Sequence, residues 1–557
     1  MADKQEFTQE AAELKEAIDA IVGSQSRKKL IVAGPGTGKT TLFKLLLKAS
    51  PGNPDERVVL TFINNLKNDL ENDLGDLARV FTLHSFCLGA LYRDPDLRGP
   101  LSADLRCCPG LATLIAEDWK IIYGGESPKF VAQMRALAEE NDLEFYLGRG
   151  DYYDAVDFDD SVYRVQRGFA FGGATPPSYD LVLIDEYQDF NRLEAAIIDA
   201  LSGTSPILIA GDDDQALYSQ LRNASWEHIR GLSKAGEYEV FTLPFCMRCP
   251  KVVVDAVADV LMRAQELDRL QGRIEKPYRH FPLAKGEDSV KYPKIANVRT
   301  SVQSKRVNYM GRFIAQALRA IPPSEMEEAI EGRFPVALVI VARPYRDQIL
   351  EYLQGEGIPI EAREEPSSGI DRAMGLQVLK ENANSNLGWR ILLNADQPKF
   401  LHDAVLATAD GRLRLVDEIP LEYRESVKAE VATYEPPAEN EGVCDEIGNE
   451  AKIEATLPTV RITSFEGAKG LSAQHVFMAG LHDGELPADP ASIKDLEICK
   501  FVVGLTRTRK RCYLIHTGHF GVDWKTSSCF ISWIADERLD DTVVNKEYWE
   551  SQEEDRG

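Results

Sequence analysis

Residues 33–41 read AGPGTGKTT, placed between the apolar run Leu30-Ile31-Val32 and a Leu-rich stretch that begins at Leu42. An apolar run, a glycine-rich bend and a helical pattern spell strand, turn and helix, the setting in which a phosphate-binding loop works. The glycines let backbone N–H groups close round phosphate oxygens, and the helix that follows adds the positive end of its dipole. Lys39 is expected to reach the β- and γ-phosphates and Thr40 to ligate magnesium. Gly34, Pro35, Gly36, Thr37, Gly38 and Thr41 complete the expected nucleotide contact, with Ala33 standing where the pattern usually has its first glycine. The stretch fixes an α/β fold and a nucleoside triphosphate, ATP or GTP, as ligand.

Further short apolar runs carry the same grammar. Val58 to Phe62, Asp180 to Ile184 and Pro206 to Ala210 read as strands, and Phe7, Ala11, Leu14, Ile18 and Ile21 as the apolar face of an opening helix. Continuous apolar strands between helical patterns indicate a parallel sheet buried on both faces. Later, Pro335 to Ala342, Ile358 to Ile360, Val460 to Thr463 and His475 to Met478 repeat the pattern, so a second sheet is expected. Between them lie a charged helical stretch and a poorly patterned one that ends in TYEPPAENEGVCDEIGNE.

The 557 residues carry a net charge of −25, which excludes a protein that coats nucleic acid through bulk positive potential but leaves room for a local basic groove. No apolar stretch approaches the roughly 18 to 20 residues of a membrane span, and Met1 to Glu6 hold no basic, apolar leader, so a cytoplasmic chain without membrane partners is expected. Nine scattered cysteines suit free thiols in a reducing compartment. Cys246 and Cys249 form the one CxxC, and a zinc site would need a second ligand pair that the adjacent Cys107-Cys108 supplies poorly.

Leu181-Val182-Leu183-Ile184-Asp185-Glu186 places two carboxylates at the end of a buried strand. There Asp185 is expected to hold Mg2+ and Glu186 to orient and deprotonate the attacking water. The continuation Tyr187-Gln188-Asp189-Phe190 makes a resemblance visible. AGPGTGKTT, LTFINNLKNDL, TLHSF, VDFDD, LVLIDEYQDFN, LIAGDDDQALY, LPFCMRCP, TSFEGAKGLSAQHVFMAGL and VVGLTRTRKRCYL stand in the order of the motifs of superfamily 1 helicases, and the chain resembles their UvrD/Rep/PcrA-like branch over residues 33 to 514.

The resemblance implies two RecA-like P-loop NTPase motor domains with mainly helical insertions, ATP in their cleft, and 3′ to 5′ movement on single-stranded or partly duplex DNA. It divides the chain into a first motor domain at 1–90 and 166–240 with a helical insertion at 91–165. A second motor domain follows at 241–363 and 456–540, with a reduced insertion and acidic linker at 364–455 and a tail at 541–557. It further implies that Gln188 couples nucleotide to DNA, that Gln215 senses the γ-phosphate, and that Arg248 and Arg507 act as arginine fingers. For DNA it points to Phe62, Asn64, Thr82, His84, Tyr218 and Lys469, with Thr61 and Ser85 beside them.

Several positions depart from that pattern. Ile18 stands near the adenine-reading glutamine, and Cys246-Met247 replace the Asn-Tyr whose ring stacks on adenine. Leu221 precedes Arg222 where an aromatic is usual, Ser472 replaces a ribose-binding glutamate, and Val502 a tyrosine. In size the chain resembles the compact UvrD-like subunits paired with nucleases in antiphage systems such as Gabija. Two functions follow: a DNA translocase or helicase, and an ATP-gated DNA sensor that regulates a nuclease partner.

Overall fold

A computed structural model describes residues 2–554 apart from 51, 63, 139–140, 305, 363–369 and 436–458. Six strands build the first sheet: β1 (Lys28–Val32), β2 (Arg57–Thr61), β3 (Arg79–Thr82), β4 (Leu181–Ile184), β5 (Ile207–Gly211) and β6 (Glu239–Thr242). They lie in the order β3-β2-β4-β5-β1-β6, every pair parallel. Alternation decides which side chain meets which layer. Leu30, Val32, Val58 and Leu60 join one core, and Ile31, Ala33 and Val59 the opposite one beneath Leu42, Phe43 and Leu46 of the helix Lys39–Ala49.

The second sheet holds β7 (Ile295–Thr300), β8 (Ala337–Val341), β9 (Ile360–Ala362), β10 (Val460–Thr463), β11 (Ala473–Ala479), β12 (Thr508–Thr517) and β13 (Leu539–Val544). Its order is β9-β10-β8-β11-β12-β7-β13, again with parallel pairs throughout. β8 is buried along its whole length, with Leu338 and Ile340 in one core and Ala337, Val339 and Val341 in the other. Residues 541–557 were expected as a tail. Instead, Asp541 to Val544 pair with β7, and the helix Lys546–Glu554 docks through buried Trp549.

The stretch 364–455 lacks a clear sequence pattern, yet its described part holds the helices Arg372–Glu381, Asn386–Asp396, Leu401–Ala407 and Leu421–Thr433. Asp371 and Ser385 cap the first two by accepting from Met374 N and Gly388 N. These helices pack on the insertion between β3 and β4. Leu387 and Ile391 enter that insertion's core, while Ile121, Ile122 and Tyr152 cover the cluster of Leu376, Trp389 and Leu392. At the join, fully buried Asp118 accepts from Arg149 Nε at 2.9 Å, Arg390 Nε at 2.8 Å and Tyr153 Oη at 2.5 Å.

Because the first sheet is wholly parallel, the carboxyl ends of its strands share one edge, where open α/β sheets bind ligands. The phosphate loop follows β1, Phe62 follows β2, the Asp185-Glu186 pair follows β4 and Asp212 to Gln215 follow β5. The loop carrying Lys469 and the turn carrying Arg507, which precedes β12, face that edge from the second sheet.

Candidate nucleotide site and DNA face

Gly36 and Gly38 adopt φ of 71° and 90°, left-handed conformations that a side chain resists, and Thr37 Oγ1 donates to Gly34 O at 2.8 Å to brace the bend. Lys39 Nζ lies 3.3 Å from Ala33 O and 3.7 Å from Glu186 Oε1. Thr40 is half-buried in the first helical turn, and Thr41 is exposed. The segment after β6 lies across the loop: Met247 N donates to Gly36 O at 2.8 Å, and a Cβ at Gly36 would come 2.5 Å from Arg248 Cβ. Tyr278 was missed in the sequence. Its ring packs on Gly34 and its hydroxyl donates to Pro35 O at 3.1 Å, which brings an aromatic to the loop although position 247 lacks one.

The carboxylate pair divides by environment. Burial and the charge of Glu186 raise Asp185 to about 7, whereas for Glu186 the upward push of burial is overcome by Lys39 and Lys469, which hold it at about 2. Asp185 Oδ1 is buried without a hydrogen-bond partner, an acceptor that suits a divalent cation. Glu186 itself sits at φ 54°, a strained setting for a residue with a Cβ.

From Glu186 a chain of hydrogen bonds crosses to the second sheet. Gln188 Nε2 donates to Glu186 Oε2 at 2.5 Å, Asp212 N to Gln188 Oε1 at 2.9 Å and Gln215 Nε2 to Asp212 Oδ2 at 2.6 Å. Arg507 Nη2 closes it on Gln215 Oε1 at 2.9 Å. Arg507 is buried and braced on Val503 O and Leu471 O; burial and neighbouring Arg248 lower its pKa to about 10. Arg248 Nη1 lies 3.5 Å from Thr506 O. Lys469, expected on DNA, is buried in this cleft with Nζ 2.5 Å from Asp189 Oδ2 and 3.9 Å from Glu186 Oε2.

Asp212, Asp213 and Asp214 are the one set of three potential metal ligands among the described residues. Lys276 already fills their centre, at 2.9, 2.8 and 2.7 Å from the three carboxylates, with Arg230 on Asp213 and Arg273 on Asp214, each at 2.8 Å. No sequence spacing links 212 to 276, so only the fold brings this clamp into view.

The residues expected on DNA gather after β2 and β3. Phe62 is 4% exposed, packed on Phe190 and Tyr218, with the Arg222 guanidinium 4.5 Å above its ring. His84 is buried, and burial together with Arg222 lowers its pKa to about 3; its Nε2 lies 3.1 Å from Arg222 Nη2. Thr82 caps the helix Leu83–Arg93 by accepting from Ser85 N, and it bonds the Ser85 hydroxyl at 2.9 Å. Thr61 is buried, Tyr218 Oη reaches Glu466 O at 3.3 Å, and the side chain of Asn64 lies outside the described residues.

A parallel sheet with a glycine-rich loop after β1 and paired carboxylates after β4 has the fold of a P-loop NTPase. The family described as "AAA domain" matches residues 15–220, which contain both elements. The chain is 25% identical over 434 residues to ATP-dependent DNA helicase UvrD2 of Mycobacterium tuberculosis (strain H37Rv) and, at the same identity, to that of Mycobacterium bovis. The alignment covers 72% of this chain and 56% of each relative, so the chain spans about half the length of the curated relatives it matches. In motif order, in its paired sheets and in these relatives the chain is similar to the UvrD/Rep/PcrA-like proteins of helicase superfamily 1. Among the described residues no helix is long and apolar enough to cross a membrane.

Proposed function

We propose that the chain is a DNA-stimulated, Mg2+-dependent ATPase that moves 3′ to 5′ on single-stranded DNA in the cytoplasm and unwinds duplex ahead of it. The observation that carries this reading is the hydrogen-bond chain from Glu186 through Gln188, Asp212 and Gln215 to Arg507, because it joins the hydrolytic carboxylate to a cation from the facing sheet. Thr40 and Asp185 would hold Mg2+, which would supply positive charge to offset the negative charge that develops on the phosphates.

Lys39 now partners Glu186. On turning to the β- and γ-phosphates it leaves Glu186 with less positive charge nearby, so the carboxylate's pKa rises and it becomes a better acceptor for the proton of the attacking water. Arg248 and Arg507 neutralise the transferring phosphoryl group, a contribution of roughly 10³- to 10⁵-fold in related NTPases. Movement of the facing sheet alters the Arg507–Gln215 bond, and Gln188 carries that change to Glu186.

A second reading is an ATP-gated regulator of a nuclease partner, as in Gabija-type antiphage defence, without processive unwinding. It is favoured by the occupied candidate DNA face, where Arg222 covers Phe62 and the Thr82 and Ser85 hydroxyls bond each other. ATP turnover with and without single-stranded DNA, followed by strand displacement on a 3′-tailed duplex, tests both. Turnover without displacement selects the regulator, and absence of DNA-stimulated turnover removes the motor.

A further inference from the structure

The segment lying on the phosphate loop carries the only CxxC of the chain, and neither comparison nor motif gives it a role. Cys246 and Cys249 are both fully buried, and Cys249 N donates to Cys246 Sγ at 3.4 Å. Residues three apart in a turn keep their Cα atoms within about 7 Å, which reaches the 4.4 to 6.8 Å range that disulfides occupy. Cys246 Sγ faces the phosphate loop, 3.2 Å from where a Gly36 Cβ would lie. Cys249 Sγ also lies 3.5 Å from Thr506 O, the same carbonyl that Arg248 Nη1 approaches. The thiol pair therefore brackets Arg248 and abuts the residue before Arg507. Among the described residues no further His, Cys, Asp or Glu completes a metal set with these thiols.

We propose that Cys246 and Cys249 are a reversible oxidation site, whose disulfide draws Arg248 out of the nucleotide cleft and switches hydrolysis off. The oxidant class is a peroxide. The Cys246 thiolate attacks one peroxide oxygen, so an S–O bond forms, the O–O bond breaks and hydroxide leaves to become water; Cys246 is then a sulfenic acid. The Cys249 sulfur attacks the Cys246 sulfur, so the S–S bond forms, the S–O bond breaks and the departing hydroxide takes the Cys249 proton as a second water. A dithiol reverses the oxidation.

Assignment of Cys246 as the attacking sulfur has a physical basis. Burial alone would raise its thiol, but hydrogen bonds from Cys249, Tyr278 and the amide of Arg248 hold it down at about 6, while Cys249 is pushed up. Closing the bond takes the Cys249 S–H from Thr506 O and tightens the turn that aims Met247 N at Gly36 O. Arg248, which lies between the two cysteines in sequence, moves with that turn. Since both thiols are fully buried and Cys246 faces the phosphate loop, the peroxide reaches Cys246 when that segment parts from the loop.

The switching half of the proposal rests on the ATPase reading; the thiol chemistry does not. The test treats the full-length, reduced protein with hydrogen peroxide, blocks remaining thiols with N-ethylmaleimide and digests it for mass spectrometry, with ATP turnover measured on the same samples. The expected result is loss of two hydrogens from the peptide holding Cys246 and Cys249. Turnover number is expected to fall by more than about tenfold, within an arginine finger's contribution, with little change in KM for ATP and recovery in dithiothreitol. Cys249→Ala should remain active and give no disulfide, its Cys246 trapped instead as a dimedone adduct. Two alkylated thiols after treatment would overturn the proposal, as would a formed disulfide with unchanged turnover. A reduced protein that never hydrolyses ATP would instead overturn the ATPase reading, and the peptide mass would still decide the thiol pair.

Discussion

Replacing Lys276 by Met removes one ammonium from among three buried carboxylates, and its cost can be worked from the contacts. Asp213 keeps Arg230 and Asp214 keeps Arg273, each at 2.8 Å, whereas Asp212 has Lys276 as its ion-pair partner at 2.9 Å. Deleting one member of a buried ion pair costs about 3–5 kcal/mol, and the two surviving arginines place this case near the lower end. In a body of 150–250 residues, about 3 kcal/mol lowers Tm by roughly 6–12 °C. Burial would lower the Lys276 pKa, but the three carboxylates raise it above the ordinary value. Its stabilisation is therefore complete below the unfolded pKa of about 10.4 and fades only as pH rises through the folded value, so it is constant from about pH 6 to 9. In the variant the stranded carboxylates take up protons as pH falls, and the gap in Tm from the parent should narrow toward about pH 4. Differential scanning calorimetry across that range measures both effects. A variant melting within about 2 °C of the parent at pH 7, well below the worked cost, or a gap that stays flat into acid, would refute the clamp.

Glu186→Gln should retain ATP binding with scarcely any hydrolysis, and Lys39→Ala should weaken both; binding by isothermal titration and turnover by phosphate release check them, and near-normal turnover in Glu186→Gln removes its assignment. Arg248→Ala and Arg507→Ala should each cut DNA-stimulated turnover by orders of magnitude with a smaller change in nucleotide affinity, and lysine should not restore it because the planar fork is lost. Phe62→Ala should lower Tm, since truncating a buried Phe costs about 3–5 kcal/mol. It should also weaken single-stranded DNA binding about five- to 150-fold, measured by fluorescence anisotropy, if a base replaces Arg222 on the ring. A lowered Tm with unaltered DNA dependence would confine Phe62 to the core.

What the sequence could and could not reveal follows from the range of each interaction. β1, β2, β4, β5 and β8 were legible because strands buried on both faces are nearly continuous apolar runs. β12 begins Thr508-Arg509-Lys510-Arg511 and β13 reads Leu539-Asp540-Asp541, so charge hid two of the three strands, β7 being the third, that complete the second sheet. At the site, the phosphate loop and the Asp185-Glu186 pair were readable because contiguous residues build them. The clamp of Lys276 on Asp212 and the Tyr278 ring on Gly34 join residues far apart in sequence, and spacing carries no trace of them. Lys469 illustrates a third case: a lysine in a recognisable motif, whose cleft-facing burial beside Asp189 only the loop between β10 and β11 determines.

The buried join at Asp118 alters the mechanics of the whole chain. Two sheets connected by one linker resemble beads on a string, free to twist and slide. Here Arg390 of one set of inserted helices is bonded to Asp118 of the other. The chain is thereby tied at a second place besides the linker, like a strut across a hinge, which removes some of the independent motions a single linker would leave. Any parting of the two sheets must therefore either carry these joined helices along or break the bond at Asp118.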